Sequence, residues 1–201
     1  MQKQSNIFIP KYSFREPRRN LSAKVSRKNT ERDFTISFAR SYISQFASLH
    51  YGSARTEVYF SREIPINGYG IADFVALYFN PDNLPAHDQP QNVIDFIKVA
   101  KPILRAFELK ISNWRKALMQ AHRYRYFANV SIVVLPDEAL HTASRFIETF
   151  KTIKVGLWGF SQGSGSIKQL YTPRPSTPLE PKYIPRAIQL VAKASKFQLS
   201  A

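Results

Sequence analysis

Three charged residues of this chain, Asp73, Glu108 and Lys110, lie within apolar segments where a charge is costly. Asp73 is the only charged residue in residues 70–77, GIADFVAL, and the other two lie in residues 106–111, AFELKI. Aspartate is depleted from strand interiors, and an unpaired carboxylate is expensive to bury. These residues are therefore candidates for chemistry rather than for packing.

Their types and spacing suit a magnesium site that hydrolyses a phosphate ester. Side chains alternate along a strand, so Glu108 and Lys110 share one face. If Asp73 lies on a neighbouring strand and faces the same side, two carboxylates and an ammonium group converge. Mg²⁺ prefers one or two carboxylates together with waters and phosphate oxygens, and we expect Mn²⁺ to substitute. The lysine could position or deprotonate the attacking water, or stabilise charge that develops on the phosphate.

The elements that must position these residues follow from hydrophobic periodicity and turn signals. The pattern predicts a helix from Asp33 to about Leu49, a hairpin of strands 57–64 and 70–79, and a short helix at 93–100. A strand at 103–111, a helix at 113–127 and a strand at 130–135 form a crossover unit, so these two strands should be parallel neighbours. A helix at 137–150, strands at 154–160 and 166–171, a Pro-rich extended segment at 173–185 and a helix at 185–197 complete the prediction.

The order of these residues resembles the PD-(D/E)XK nuclease superfamily. Asp73 is followed by Glu108-x-Lys110 on the next strand and then by Gln120 and Tyr124 on a helix, and the similarity spans residues 34–171. The resemblance implies an α/β fold with a restriction endonuclease-like αβββαβ core, in which helices flank a mixed central sheet. It also implies a Mg²⁺-dependent DNA nuclease.

The resemblance assigns roles to individual residues. Asp73 and Glu108 would bind the metal, Lys110 would be catalytic, and Gln120 would support the site. Ala72 stands where the family's motif has proline. The family has a further acidic residue upstream of the aspartate, for which Glu57 is our first choice, with Glu31 and Glu63 as rivals.

The charge balance indicates a polyanionic partner. The chain has 29 Lys and Arg against 14 Asp and Glu, a net charge of +15 and a pI near 10.1. Neutralising phosphates releases counterions, so DNA is the expected partner. The expected phosphate-binding surface consists of a basic arm at residues 1–32 and four residues of the crossover helix, namely Arg115, Lys116, Arg123 and Arg125. The absence of cysteine excludes thiolate zinc sites and cysteine nucleophiles.

The sequence divides into the basic arm at 1–32, a nuclease-like domain at 33–172, and a Pro-rich linker with a C-terminal helix at 173–201. No signal-peptide core or run of roughly 20 apolar residues occurs, so we expect a cytoplasmic protein without a membrane partner. Paired cuts need two sites, which makes a homodimer or a larger nucleoprotein assembly a further expectation.

Three functions remain open at this point. The first is a metal-dependent deoxyribonuclease in restriction, repair, recombination or mobile-element processing. The second is a catalytically silent DNA-binding subunit of such an assembly, and the third is a basic RNA-binding protein. The retained acids favour the nuclease, because neither alternative explains two carboxylates among apolar residues.

Overall fold

A six-stranded sheet forms the centre of the fold. The computed structural model describes residues 27–46, 56–85 and 90–195, and the side chains of residues 27–29 are outside that description. The strands are adjacent in chain order across the sheet, namely β1 Glu57–Ile66, β2 Gly70–Phe79, β3 Ile103–Leu109, β4 Val130–Leu135, β5 Gly156–Ser161 and β6 Ser166–Tyr171.

The sheet is mixed, as the sequence predicts. β1, β2 and β3 are antiparallel neighbours, whereas β3, β4 and β5 are parallel, and β6 returns antiparallel to β5. The crossover between β3 and β4 produces the expected parallel pair, in which Glu108 is opposite Val133. The predicted α/β class, with a mixed central sheet between helices, is confirmed.

Helices cover both faces of the sheet. They are α1 Arg27–Phe46, α2 Val93–Ala100, α3 Trp114–Tyr124, α4 Asp137–Ser144, α5 Ile147–Thr152 and α6 Ile184–Ser195. α1 alone packs an aromatic stripe of Phe34, Phe38 and Tyr42 on one face, which we call the α1 face. The other five helices contribute to the core on the opposite face, which we call the α3 face. Within the described ranges, no helix combines the length and apolar character that a bilayer crossing requires.

Two predicted boundaries are wrong. α1 begins at Arg27 rather than Asp33, so the boundary at residue 32 falls inside a helix. Its first turns lack apolar residues, because they extend past the end of the sheet face, and hydrophobic periodicity therefore missed them. The predicted helix at 137–150 is two helices, since Phe146 leaves helical geometry and places its ring 4.9 Å from that of Trp114. The first 26 residues of the predicted arm lie outside the described residues.

The Pro-rich segment is bound to the core rather than acting as a spacer. Backbone N–H groups of Ser176, Leu179 and Glu180 donate to carbonyls at the C-terminal end of α3 and in the turn that follows it. Downstream, α6 buries Ala187, Ile188 and Val191 in the α3-face core. The described C-terminal region is therefore part of the same packed structure.

The left-handed residue that ends α2 provides a test of the backbone geometry. Lys101 is exposed and adopts φ 47°, ψ 55°, a conformation that costs non-glycine residues free energy. We expect Lys101→Gly to raise the free energy of unfolding by about 0.5–1 kcal/mol, measured by urea denaturation. Lys98→Gly, inside the same helix, should lower it by about 1 kcal/mol. Equal destabilisation by both variants would contradict this geometry.

Candidate active site

Asp73 occupies a break in the strand ladder. The β1–β2 pairing includes Arg62 with Phe74 and Ile64 with Ala72, but no pair forms between Glu63 and Asp73. Glu63 adopts a left-handed backbone with φ 55°. Beyond the last β2–β3 pair, the Leu109 N–H donates to Asp73 Oδ2 over 2.8 Å. The carboxylate thus replaces a ladder bond, which orients it and stabilises it in a largely apolar strand.

The same break reverses which face of the sheet the strands present. Phe60 and Phe74 pack on the α1 face, whereas Ile64 and Ala72 pack on the α3 face. Regular alternation would place residues separated by an even number on one face. The left-handed Glu63 therefore lets β1 and β2 turn their apolar side chains to the α3 face on one side of Asp73 and to the α1 face on the other.

Glu108 is buried, with 1% of its surface exposed, at the carboxyl end of β3. Its Oε2 accepts a hydrogen bond from the hydroxyl of Tyr124 on α3. Its Oε1 is buried and accepts no hydrogen bond from the described residues, but Lys110 Nζ lies 3.4 Å away. An acceptor kept out of water without a hydrogen bond is costly, and this oxygen is available to a cation.

Tyr124 connects Glu108 to the backbone of β2. Its hydroxyl also lies 2.6 Å from the Ile71 carbonyl oxygen. One hydroxyl hydrogen cannot be donated fully to two acceptors. When Glu108 is protonated, its O–H can donate to the Tyr124 oxygen while Tyr124 donates to Ile71, and all three groups are then satisfied.

The electrostatics of the cluster agree with that arrangement. Burial and the Asp73 charge raise the pKa of Glu108 to about 7. Burial also raises the pKa of Asp73, against the opposing effects of the Leu109 N–H and Lys110. Burial lowers the pKa of Lys110, but Glu108, Asp73 and Glu31 outweigh burial and leave that pKa raised. Lys110 is therefore an ammonium at neutral pH, which favours a role in binding negative charge over a role as a base.

Of the three candidates for the upstream acid, Glu31 and Glu63 line the cleft beside Asp73, whereas Glu57 does not. Glu31 Oε2, on α1, lies 3.6 Å from Lys110 Nζ, and both residues line a cleft of about 400 Å³ together with Asp73. Glu57 pairs with Phe79 at the far end of β1 and accepts a hydrogen bond from Tyr59. It lies six residues from Glu63, or roughly 20 Å along the strand. Glu63 lines the cleft through an exposed side chain.

Gln120 is not joined to this cluster by a hydrogen bond in the structure. Its Oε1 is buried and accepts no hydrogen bond from the described residues. Tyr124, one helical turn later, makes the contact to Glu108 instead. The resemblance includes Tyr124 in the motif without assigning it a role, although the Gln120–Tyr124 spacing, which places both on one side of α3, is a signal for one.

Three of the four basic residues predicted to bind phosphate are exposed on α3, and the fourth, Arg125, makes a contact within the fold. Arg115, Lys116 and Arg123 are exposed, and the Arg115 guanidinium lies 4.5 Å from the centre of the Trp114 ring. Arg125 instead donates from Nη1 to the Ile153 carbonyl over 2.9 Å, which ties the end of α3 to the end of α5. Its contribution to the fold is therefore structural.

The donor set fits a hard cation that shares its ligands with a substrate. Among the described residues, no three His, Asp or Glu side chains are grouped so that they could hold a metal ion unaided. Mg²⁺ does not require such a group when phosphate oxygens and waters complete its coordination. Asp73 lines the cleft, and Oε1 of Glu108 accepts no hydrogen bond from the described residues, so these two carboxylates are the candidate ligands.

The chain matches no protein-family model, and it matches no curated protein sequence. Its chemistry must therefore be inferred from the side chains that the fold brings together.

Proposed function

We propose that this protein is a Mg²⁺-dependent deoxyribonuclease of the PD-(D/E)XK type, which hydrolyses phosphodiester bonds with water. The observation that carries the proposal is the convergence of Asp73, buried Glu108 and the Lys110 ammonium where β2 and β3 separate beside a cleft. Two carboxyl groups, and an ammonium group whose charge they stabilise, match the requirements of phosphoryl chemistry.

Each residue has a role that its contacts support. Asp73, oriented by the Leu109 N–H, and Glu108, oriented by Tyr124, would hold the metal ion. When bound, Mg²⁺ would polarise the phosphate and lower the pKa of a water molecule. Lys110 would donate its N–H groups to a phosphate oxygen as negative charge develops there.

The DNA substrate is supported by charge and by the resemblance of the motif. The net charge of +15 favours a polyanion, and Arg115, Lys116 and Arg123 are exposed on α3. Their phosphate contacts would be independent of base sequence. A silent DNA-binding subunit and an RNA-binding protein have the same charge, so activity must separate them from a nuclease.

The decisive assay incubates the full chain with linear, circular, branched and single-stranded DNA and with RNA, in Mg²⁺, Mn²⁺ or EDTA. The nuclease proposal expects cleavage of at least one DNA substrate with metal and none with EDTA. Cutting of circular DNA would indicate an endonuclease. Tight DNA binding without cleavage under any condition would instead support the silent subunit, and preferential binding of RNA would support the third alternative.

Lys110→Met tests the role of the ammonium group. The methionine preserves most of the aliphatic side chain but removes the charge that faces Glu108 and Glu31. We expect the turnover rate to fall about 10²-fold, as for the loss of one group that stabilises transition-state charge. Lys98→Met, an exposed change on α2 at the Phe79 end of the sheet, should retain nearly full turnover. Comparable rates in the two variants would exclude Lys110 from catalysis.

A further inference from the structure

Two arginines line the cleft beside Asp73 and Lys110, namely Arg32, the last residue of the predicted basic arm, and Arg62, to which the sequence assigned no role. Arg32 lies on α1, and Arg62 lies on β1. The cleft volume of about 400 Å³ is within the range of pockets that hold small ligands or segments of larger ones. Cationic side chains therefore occupy two walls of a cleft that also contains the proposed metal ligand Asp73.

The sheet register places Arg62 close to the candidate metal site. Arg62 is opposite Phe74, the residue that follows Asp73 in β2, so the backbones at these positions are about 5 Å apart. Phe60, two residues before Arg62, packs on the α1 face. Because Arg62 precedes the left-handed Glu63, its side chain projects towards the same face and reaches the cleft.

Arg62 and Lys110 both form ion pairs at the cleft. Lys110 Nζ lies 3.4 Å from the buried Glu108 carboxylate, which fixes it beside the candidate metal ligands. Arg62 Nη2 lies 3.6 Å from Glu63 Oε1, whose side chain is 73% exposed. A phosphate offers the Arg62 guanidinium a planar, bidentate and charge-assisted partner.

We propose that Arg62 binds a non-bridging oxygen of a DNA phosphate in this cleft, while Arg32 binds the neighbouring phosphate from α1. This inference rests on the nuclease function proposed above and specifies its substrate as a polynucleotide held by consecutive phosphates. Both contacts are to the backbone, so they position the strand without reading its sequence.

Phosphate-by-phosphate substitution tests the proposal directly. Fluorescent oligonucleotides that carry one uncharged methylphosphonate linkage, moved along the strand, are titrated with wild type, Arg62→Ala and Arg32→Ala in EDTA. We expect Arg62→Ala to weaken binding of the unmodified strand about tenfold. A methylphosphonate at one linkage should weaken DNA binding by wild type to a similar degree but leave binding by Arg62→Ala unaffected. A methylphosphonate at the adjacent linkage should likewise weaken binding by wild type but not by Arg32→Ala. In each case the two changes are non-additive because they remove the same contact.

Arg174→Ala is the matched control. Arg174 is exposed and belongs to the segment whose Ser176 N–H donates to Asn129, near the Leu104 end of β3. The Arg174→Ala variant should therefore show the same dependence on linkage position as wild type. Arg62→Lys keeps the charge but loses the bidentate fork, and about threefold weaker binding is expected. If Arg62→Ala fails to fold by circular dichroism, the lysine variant provides the test at the same linkage.

The outcomes separate this inference from the nuclease proposal. If a methylphosphonate at every linkage weakens DNA binding by wild type and by Arg62→Ala equally, the Arg62 contact is overturned, even if wild type cuts DNA with Mg²⁺. A single non-additive linkage in a protein that never cuts DNA would support the phosphate contact and refute the nuclease proposal. Binding is measured without metal, so neither outcome depends on catalytic turnover.

Discussion

Asp73→Asn should reduce metal-dependent DNA cleavage by about 10³-fold or more, because it removes the charge of the proposed metal ligand, worth several kcal/mol in the transition state. The amide oxygen of asparagine can still accept the Leu109 N–H bond that Asp73 Oδ2 accepts now. The fold should therefore survive, and its melting temperature should remain within a few degrees of wild type. Single-turnover cleavage at saturating Mg²⁺ measures the loss.

Asp82→Asn is the appropriate control for that result. Asp82 follows β2 at the end opposite Asp73, in a short helical turn at Pro81–Asn83. The change removes the same charge without touching the cleft, so full activity is expected. If Asp73→Asn cuts DNA as fast as Asp82→Asn, Asp73 is not a metal ligand and the nuclease mechanism fails.

Glu108→Gln should abolish cleavage to a similar degree while stabilising the metal-free fold at alkaline pH. In wild type, burial and Asp73 raise the pKa of Glu108 from its ordinary value of 4.5 to about 7. Between these values the unfolded chain releases a proton that the folded chain retains. Wild-type stability therefore declines from pH 4.5 to pH 7 on account of Glu108 and is level above pH 7.

The glutamine variant lacks that decline, because its amide does not ionise. Relative to wild type, it should gain on the order of 2–3 kcal/mol in free energy of unfolding between pH 4 and pH 8. Urea denaturation in EDTA across this range measures the gain, with exposed Glu138→Gln as a control that should follow wild type. Mg²⁺ should then raise the melting temperature of wild type more than that of Glu108→Gln. Parallel pH profiles for wild type and Glu108→Gln would show that Glu108 ionises normally.

The sequence predicted the elements that have a clear hydrophobic period. Strand β2 and helix α2 have the predicted bounds, and the β3–α3–β4 crossover is parallel as expected. Their apolar period is a local property of the sequence, so it does not depend on which segments they pack against. The charged residues of β2 and β3 could also be identified as site candidates from the sequence, because a carboxylate in an apolar strand has a high energetic cost.

The sequence did not predict features that depend on contacts between distant segments. Glu31 reaches Lys110 only because α1 extends past its apolar stripe, and no local pattern marks that extension. Glu57 belongs to a strand that was correctly placed, but only the register shows that it pairs with Phe79, far from Asp73. The left-handed Glu63 could not be read from composition, since glutamate has no preference for that conformation.

The hydrogen-bonded C-terminal segment affects when this site can be completed during synthesis. The residues that form the cluster lie between Glu31 and Tyr124, whereas the end of α3 is bound by the backbone of residues 176–180. On a ribosome, the cluster residues emerge well before the segment that fixes α3, and β1 emerges well before its covering helix α6. Because domains fold as cooperative units, a nascent chain must wait for these late residues before Tyr124 can hold Glu108 in place. An incomplete translation product would therefore carry every residue of the candidate site but lack the support that orients them.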